Sequence, residues 1–483
     1  MRVKMDIKHV ILSTVAASIF TTGYCTNQDS KNDKHKPNVV YVFADEWRAQ
    51  ATGFNGDYNA ITPTVDKLAT ESVVFSTAVS NMPVCCPYRA SLITGQYALT
   101  NGVFMNDVQL NPEANTMGKI YKKAGYNTAY IGKWHLDGQC RSCYIPPERR
   151  QGFDYWKALD CTHNYNNSLY FDNDDTIASK WPGYDAYYQT LDAMNYIGKH
   201  AHDEKPFLLV LSWGPPHDPY QTAPEIYKDK YKNRDIRLRP NVPDNDKDKA
   251  VFDMKGYYAH INALDDCLSL LLKTLDETNI SENTIFVFTS DHGDMLFSHG
   301  MQKKQRPYDE SILVPFLLRY PKALGNENKV IDAPINTPDI LPTLLGLCDI
   351  EIPASVEGNN LSKYLYGNNT ELPDTVALIE CIQPFGQWPR ARGGKEFRGI
   401  RTLRYTYVCD LNGPWLLFDN VSDPYQMNNL VGSPKYSDLQ AHLDKLLMQR
   451  LKAQNDKFLS GLDYVKKYNY PALDDRETVP YHN

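Results

Sequence analysis

Four short apolar runs, each broken off by a cluster of polar residues, constrain the fold of this chain more than any other feature. They are Asn38-Val39-Val40-Tyr41-Val42-Phe43-Ala44, Thr128-Ala129-Tyr130-Ile131, Phe207-Leu208-Leu209-Val210-Leu211-Ser212 and Thr284-Ile285-Phe286-Val287-Phe288-Thr289. A run with no polar alternation reads as a strand buried on both faces, which is the situation at the centre of a parallel sheet. Helical patterns lie between the runs, from Pro63 to Ser72, from Ala114 to Lys123 with Gly125 as the cap, and from Tyr257 to Leu275. Strands alternating with helices predict an α/β fold with a central, mostly parallel sheet flanked by helices.

The polar residues that end the runs point to a site. Asp45-Glu46 follow the first run, Lys133-Trp134-His135 the second, Pro215-Pro216-His217-Asp218 the third and Asp291-His292-Gly293-Asp294 the fourth. Open α/β sheets bind ligands beyond the carboxyl ends of their strands, so four such clusters predict one shared cleft. After about residue 345 the character changes to short β-like runs such as Tyr405-Thr406-Tyr407-Val408 and a charged helix from about Ser437 to Phe458. We expect a larger α/β domain over 38–345 and a smaller C-terminal α+β subdomain over 346–483.

With 51 Lys and Arg against 58 Asp and Glu, the chain carries a formal net charge of -7 and no polybasic stretch, which argues against a nucleic-acid partner. Residues 1–25 place Arg2, Lys4 and Lys8 before an apolar run from Val10 to Phe20, the pattern of an export signal. Cys25 stands where a bacterial lipid anchor would be attached, and the polar segment 26–37 would be its tether. The expected location is the periplasm or the cell surface. Cys140-Arg141-Ser142-Cys143 is the one tight cysteine pair; a local structural role is favoured over half of a zinc site, since no second pair has the matching spacing.

Cys85-Cys86-Pro87-Tyr88-Arg89 sets a thiol just before a proline-fixed turn and four residues before a guanidinium, at what reads as a helix start. Such a site suits a nucleophile that meets an anion, although a buried, inert cysteine beside a turn would look the same. Asp45, Glu46, Asp291 and His292 are mostly hard oxygen donors suited to Ca²⁺, with Mg²⁺ as the alternative, though acidic residues after strands also cap turns.

The Cys85–Arg89 stretch closely resembles the C-x-P-x-R signature of the type I sulfatases, members of the alkaline-phosphatase-like superfamily. The resemblance continues in order through Gly132-Lys133-Trp134-His135, His217, Ser298-His299-Gly300, Lys304-Gln305-Arg306-Pro307, Asp339-Ile340-Leu341-Pro342-Thr343 and Leu417-Phe418-Asp419. It implies that a formylglycine-generating enzyme oxidises Cys85 to formylglycine (3-oxoalanine), whose hydrate is the nucleophile, and that Asp45, Glu46, residue 85, Asp291 and His292 hold the cation. Glu46 departs from the family's Asp at that place. The resemblance further implies that Arg89, Lys133 and Lys304 supply positive field to a sulfate ester, that His135 is the base releasing sulfate, and that His217, with Lys304, is the acid for the departing alcohol. His299 receives no role.

The substrate so implied is a sulfated carbohydrate cleaved in exo fashion, with His163 touching a sugar hydroxyl. Asp160–Tyr165 and Gln387–Arg392 are the candidate sugar-gripping segments. The rival readings are a phosphate or phosphonate ester hydrolase on the same scaffold, and an unmodified, non-catalytic glycan-binding protein.

Overall fold

Strand β1 (Asn38–Asp45) is the axis of the structure, because the alternate faces of its uninterrupted apolar run serve two different cores. The computed structural model describes residues 36–367 and 376–480; the export-signal pattern of 1–25, Cys25 and nearly all of the expected tether lie outside the described residues. Val39, Tyr41 and Phe43 of β1 join one apolar cluster, while Val40, Val42 and Ala44 join the other. Neighbouring strands divide in the same way, as with Leu208 and Val210 against Leu209 and Leu211. A residue-by-residue alternation of sides is what a pleated strand covered on both faces requires.

The remaining strands are β2 (Val73–Val79), β3 (Asn127–Lys133), β4 (Tyr155–Leu159), β5 (Leu169–Asp172), β6 (Ser179–Lys180), β7 (Phe207–Pro216), β8 (Thr284–Ser290), β9 (Leu313–Val314), β10 (Phe316–Arg319) and β11 (Lys329–Asn336). Among the described residues they form a sheet in the order β11-β2-β10-β8-β1-β7-β3-β4-β5-β6, with β9 beside β2. The four strands read from the sequence are the contiguous block β8-β1-β7-β3, and all three pairings within it are parallel. Their carboxyl ends therefore fall on one edge, within about 15 Å of each other at the usual strand spacing of ~4.8 Å. The sheet is mixed beyond that block: β10 runs antiparallel between β8 and β2.

One face is covered by the helices Cys85–Thr94 and Thr337–Leu347, whose Leu92, Ile93, Leu341 and Leu344 enter the first cluster. The other is covered by Asp185–His200 and by the 31-residue helix Lys247–Glu277. Towards the C-terminus, β12 (Val376–Cys381), β13 (Phe397–Thr402), β14 (Tyr405–Asp410) and β15 (Gly413–Asp419) make an antiparallel sheet in sequential order. Its Ile379, Phe397, Val408 and Phe418 pack with Val79, Met295 and Tyr308, and its Leu378, Ile400, Tyr407 and Leu417 pack under the helix Ser437–Ala453.

Among the carboxyls that the fold buries, Asp185 is one whose burial opposes its ionisation. Asp185 opens its helix and accepts a 2.7 Å hydrogen bond from the Ala186 amide, but complete burial pushes it up from 3.8 to about 7. Between those values the unfolded chain loses the proton first, so rising pH favours unfolding through this group. Asp185→Asn removes the ionisation, and its melting temperature relative to wild type should climb as pH rises from about 4 to about 7 and then level off. A difference that is constant with pH in calorimetric melts contradicts this.

Candidate active site

Cys85 begins the helix Cys85–Thr94, placed at the carboxyl edge of the sheet by the turn that follows β2. Ser80 of that turn donates from Oγ to the Asp291 carbonyl at 2.6 Å, tying the approach to the residue that follows β8. A helix start presents unpaired amides and a positive dipole end, which favours an anion there. The Cys85 side chain lies 1% exposed at the floor of a cleft of about 350 Å³.

Asp45, Cys85, Asp291 and His292 converge, with their ligand atoms within 4.8 Å of one another. Cys85 Sγ is 3.5 Å from Asp45 Oδ1 and 3.3 Å from His292 Nε2. His292 Nδ1 donates to the Gly293 carbonyl at 2.9 Å, which directs Nε2 into the group. Burial opposes charge on His292, yet Asp291 and Cys85 push it up to about 9. Burial and Asp45 likewise push Asp291 up to about 6, whereas Lys133, His217 and Lys304 overcome burial and hold Asp45 well below the usual carboxylate range.

Glu46 lies beside this quartet and points elsewhere. Its backbone takes φ +73° and its amide donates to Asp291 Oδ1 at 3.0 Å, while its carboxylate faces His217 Nε2 at 3.3 Å and Lys304 Nζ at 3.7 Å. Neither contact has hydrogen-bond geometry, so both Glu46 oxygens are buried without a donor, and burial pushes the group well above the usual range. Buried carboxylate oxygens without donors, next to two more carboxylates and an imidazole, fit a hard divalent cation.

Arg89 differs from its expected place. It is one turn beyond Cys85 and lies beneath the floor, where its guanidinium bonds Asp45 Oδ2 (3.1 Å), Asp291 Oδ2 (3.3 Å), Ser212 Oγ (2.6 Å) and the Lys133 carbonyl (2.7 Å). It does not line the cleft; its two terminal nitrogens are taken up by these four contacts, while its Nε is buried without a partner. Lys133 and Lys304 do line it. Lys133 ends β3 and pairs with Asp45 Oδ2. It follows Gly132, whose φ of +105° and whose hydrogen, 2.0 Å from Ser212 O were it a Cβ, exclude any larger residue. Lys304 Nζ donates to Cys85 Sγ at 3.2 Å. Burial and Asp45 would raise the Cys85 thiol, but Lys133, Lys304 and His292 hold it well below its usual range.

His135, His217 and His163 also border the cleft. His217 Nδ1 donates to the Asp218 carbonyl at 2.9 Å, and its ring stacks on His163 with centroids 4.5 Å apart. Burial, Lys304 and His163 push His217 down to about 4. Burial opposes charge on His135, but Cys161, Cys86 and Asp107 raise it well above the usual imidazole range.

Asp107 is a residue the sequence did not single out: it accepts from His135 Nε2 at 2.9 Å and from Arg141 at 3.1 Å. Arg141 lies between Cys140 and Cys143, which form a disulfide, in accord with the structural reading of that pair. Of the expected sugar-gripping segment 387–392, Gln387 reaches the cleft, but Trp388 is buried under Arg306 and Arg390 is engaged by Glu396 and Glu477. His299 stacks on Tyr308 and bonds Asn241, away from the cleft.

Two buried carboxylates, an imidazole and a thiol, flanked by two lysines at the carboxyl edge of this sheet, are what a hydrolase of the alkaline-phosphatase-like superfamily places there. The family model described as "Sulfatase" matches residues 37–350, and that described as "N-sulphoglucosamine sulphohydrolase, C-terminal" matches 298–454. The chain belongs to the sulfatase family. It is 46% identical to a Formosa agariphila protein named ulvan-active sulfatase, over 94% of this chain and 88% of that one, and 31% identical to an endo-4-O-sulfatase of Bacteroides thetaiotaomicron, over 82% and 88%. The crystal structure of a putative sulfatase from Bacteroides fragilis superposes with a TM-score of 0.80 at 29% identity, covering 91% of this chain and all of that one.

If Arg89 is what holds the floor together, Arg89→Ala leaves two buried carboxylates facing each other. Removing one partner from a buried ion pair costs about 3–5 kcal/mol, so the melting temperature should fall sharply and millimolar Ca²⁺ should recover part of the loss. An unchanged melting temperature contradicts the assignment.

Proposed function

We propose that the protein hydrolyses O-sulfate esters on a sulfated carbohydrate, with Cys85 converted to formylglycine by a modifying enzyme and with Ca²⁺ (or Mg²⁺) held by Asp45, Asp291, His292 and residue 85. The observation that carries this reading is Cys85 Sγ seated between Asp45, His292 and Lys304 on the floor of a cationic cleft. The donor-free carboxylate of Glu46 stands beside that quartet, grouped with Asp45 and His217, and adds unpartnered oxygens to the same floor. Bound there, the cation supplies Lewis-acid charge, and the hydrated aldehyde at position 85 supplies an oxygen nucleophile.

The chain's own residues do the rest. Lys133 and Lys304 flank the nucleophile and oppose the negative charge of a sulfate group, in a buried setting where such charge counts for more than in water. Arg89 fixes the spacing of Asp45 and Asp291 from below. Asp107 orients His135, which takes the proton whose loss releases sulfate. His217 and Lys304, which line the same cleft, donate a proton to the departing oxygen. His217 is held down by burial, Lys304 and His163; the charge of an incoming sulfate counters Lys304 and lets His217 take up its proton.

With residue 85 only 1% exposed, a sulfate has to project down to the floor, which supports exo-type removal, with His163 beside the sugar. The related proteins named for ulvan and for 4-O-sulfate support a polysaccharide source. The Cys140–Cys143 disulfide and the pattern of residues 1–25 support action outside the cytoplasm, with Cys25 as an anchoring point.

Two experiments test this. Protein from a host that carries the modifying enzyme should show the Cys85 peptide lighter by about 18 Da, the change from thiol-bearing carbon to aldehyde, and should cleave aryl sulfates in preference to the matching aryl phosphates. An unmodified thiol, or a phosphate preference of several orders of magnitude, contradicts it. Separately, Asp107→Asn removes a group that favours the charged form of His135. If His135 acts as a base, the acid limb of the pH–rate profile should move to lower pH; an unmoved limb contradicts the pairing.

A further inference from the structure

The C-terminal tail contributes to the cleft. Asp474, Arg476, Thr478, Val479 and Pro480 line it together with Lys133 and Lys304. The tail is anchored on both sides of Arg476. Upstream, the Tyr470 ring stacks on Phe104 at 4.5 Å. Downstream, Val479 is buried with Met82, Val84 and Phe385, the apolar group next to Cys85. Between them, the Asp474 carboxylate is taken by the Arg476 amide (2.9 Å), the Thr478 amide (2.8 Å) and Thr478 Oγ1 (2.6 Å), closing a tight turn.

That turn is fixed to the rest of the protein. The Gly386 amide donates to the Arg476 carbonyl at 2.8 Å, and Glu477 pairs with Arg390. The arginine at the tip is solvent-facing, with one nitrogen donating to the Gly386 carbonyl at 3.3 Å. Among the described residues its guanidinium makes no ion-pair contact with a carboxylate: Asp474 feels its charge but is hydrogen-bonded within the turn, Glu477 is spent on Arg390 and Asp107 on His135 and Arg141. A planar donor fork on a pre-organised turn, facing a cleft already rich in cations, matches a second anion.

We propose that Arg476 is a specificity residue that receives a second anionic group, carboxylate or sulfate, on the sugar adjoining the one whose sulfate is removed. This rests on the sulfatase reading above. It makes acidic oligosaccharides the preferred substrates and gives the tail a part in selecting them.

The test uses three disaccharides that share one scissile sulfate and differ in the adjoining sugar, which is neutral, a uronate or sulfated. In wild type, kcat/KM should favour one of the acidic pair over the neutral compound. Arg476→Ala should reduce that preference roughly 10- to 100-fold, mainly through KM, the loss expected for a hydrogen-bonded charge. Loss confined to the uronate identifies a carboxylate, and loss confined to the disulfated compound identifies a sulfate; either supports the proposal. A preference unchanged in Arg476→Ala, or an equal loss on all three compounds, overturns it. Calorimetric affinities of Cys85→Ala, with and without Arg476→Ala, for the same three compounds read the preference without turnover. Failure of the sulfatase reading is therefore seen separately, as absent turnover in the modified wild type.

Discussion

The site depends on one buried guanidinium. Asp45 ends β1 and Asp291 follows β8, and because those strands are parallel neighbours their carboxylates meet, both fully buried. Two carboxylates in that position repel, and burial alone would drive them towards the neutral form. Arg89 answers both from below, and by also bonding Ser212 and the Lys133 carbonyl it ties together residues belonging to all four central strands. The helix that carries Arg89 carries Cys85 one turn earlier, so the same contact that balances the floor fixes the reactive position above it.

From that balance the upper part of the site follows. With Arg89 spent beneath, charge for a ligand has to come from elsewhere, and it comes from Lys133 at the end of β3 and Lys304 on the loop after β8. The Glu46 carboxylate is left without donors, so the floor keeps unspent negative charge for a cation, while the walls keep positive charge for an anion. A site that asks for both at once suits an anionic ester: a cation held by Asp45, Asp291 and His292 would supply Lewis-acid charge, and the lysines oppose the negative charge of the ester. A second layer then orients the titrating groups: Asp107 and Arg141 behind His135, and the Asp218 carbonyl behind His217.

Much of this was legible in the sequence because it is periodic or contiguous. The four central strands stood out because double-sided burial removes the polar alternation, and the polar residues after them had to share one edge once the strands were parallel. The Cys85–Arg89 stretch opened the family resemblance, and the ordered landmarks from Lys133 to Asp419 carried it. The antiparallel insertion of β10 was not legible, since Phe316–Arg319 is too short to show a period or a direction. Arg89 was read as part of the positive field on the ligand, because sequence spacing places it near Cys85 without saying above or below. Asp107 and Arg476 are single polar residues in loops, brought to the cleft by packing across long stretches of chain; only the cysteines flanking Arg141 hinted that its loop was held in place.

The central claim is that this floor is built around a divalent cation in contact with residue 85. It is tested most directly by a crystal structure of modified protein grown with Ca²⁺ and inorganic sulfate. The account predicts one ion bonded to Asp45, Asp291, His292 and the oxygen of residue 85, with sulfate against Lys133 and Lys304. A fully ordered site in which residue 85 turns away from Asp45 and Asp291, or in which Ca²⁺ binds only elsewhere, would contradict it.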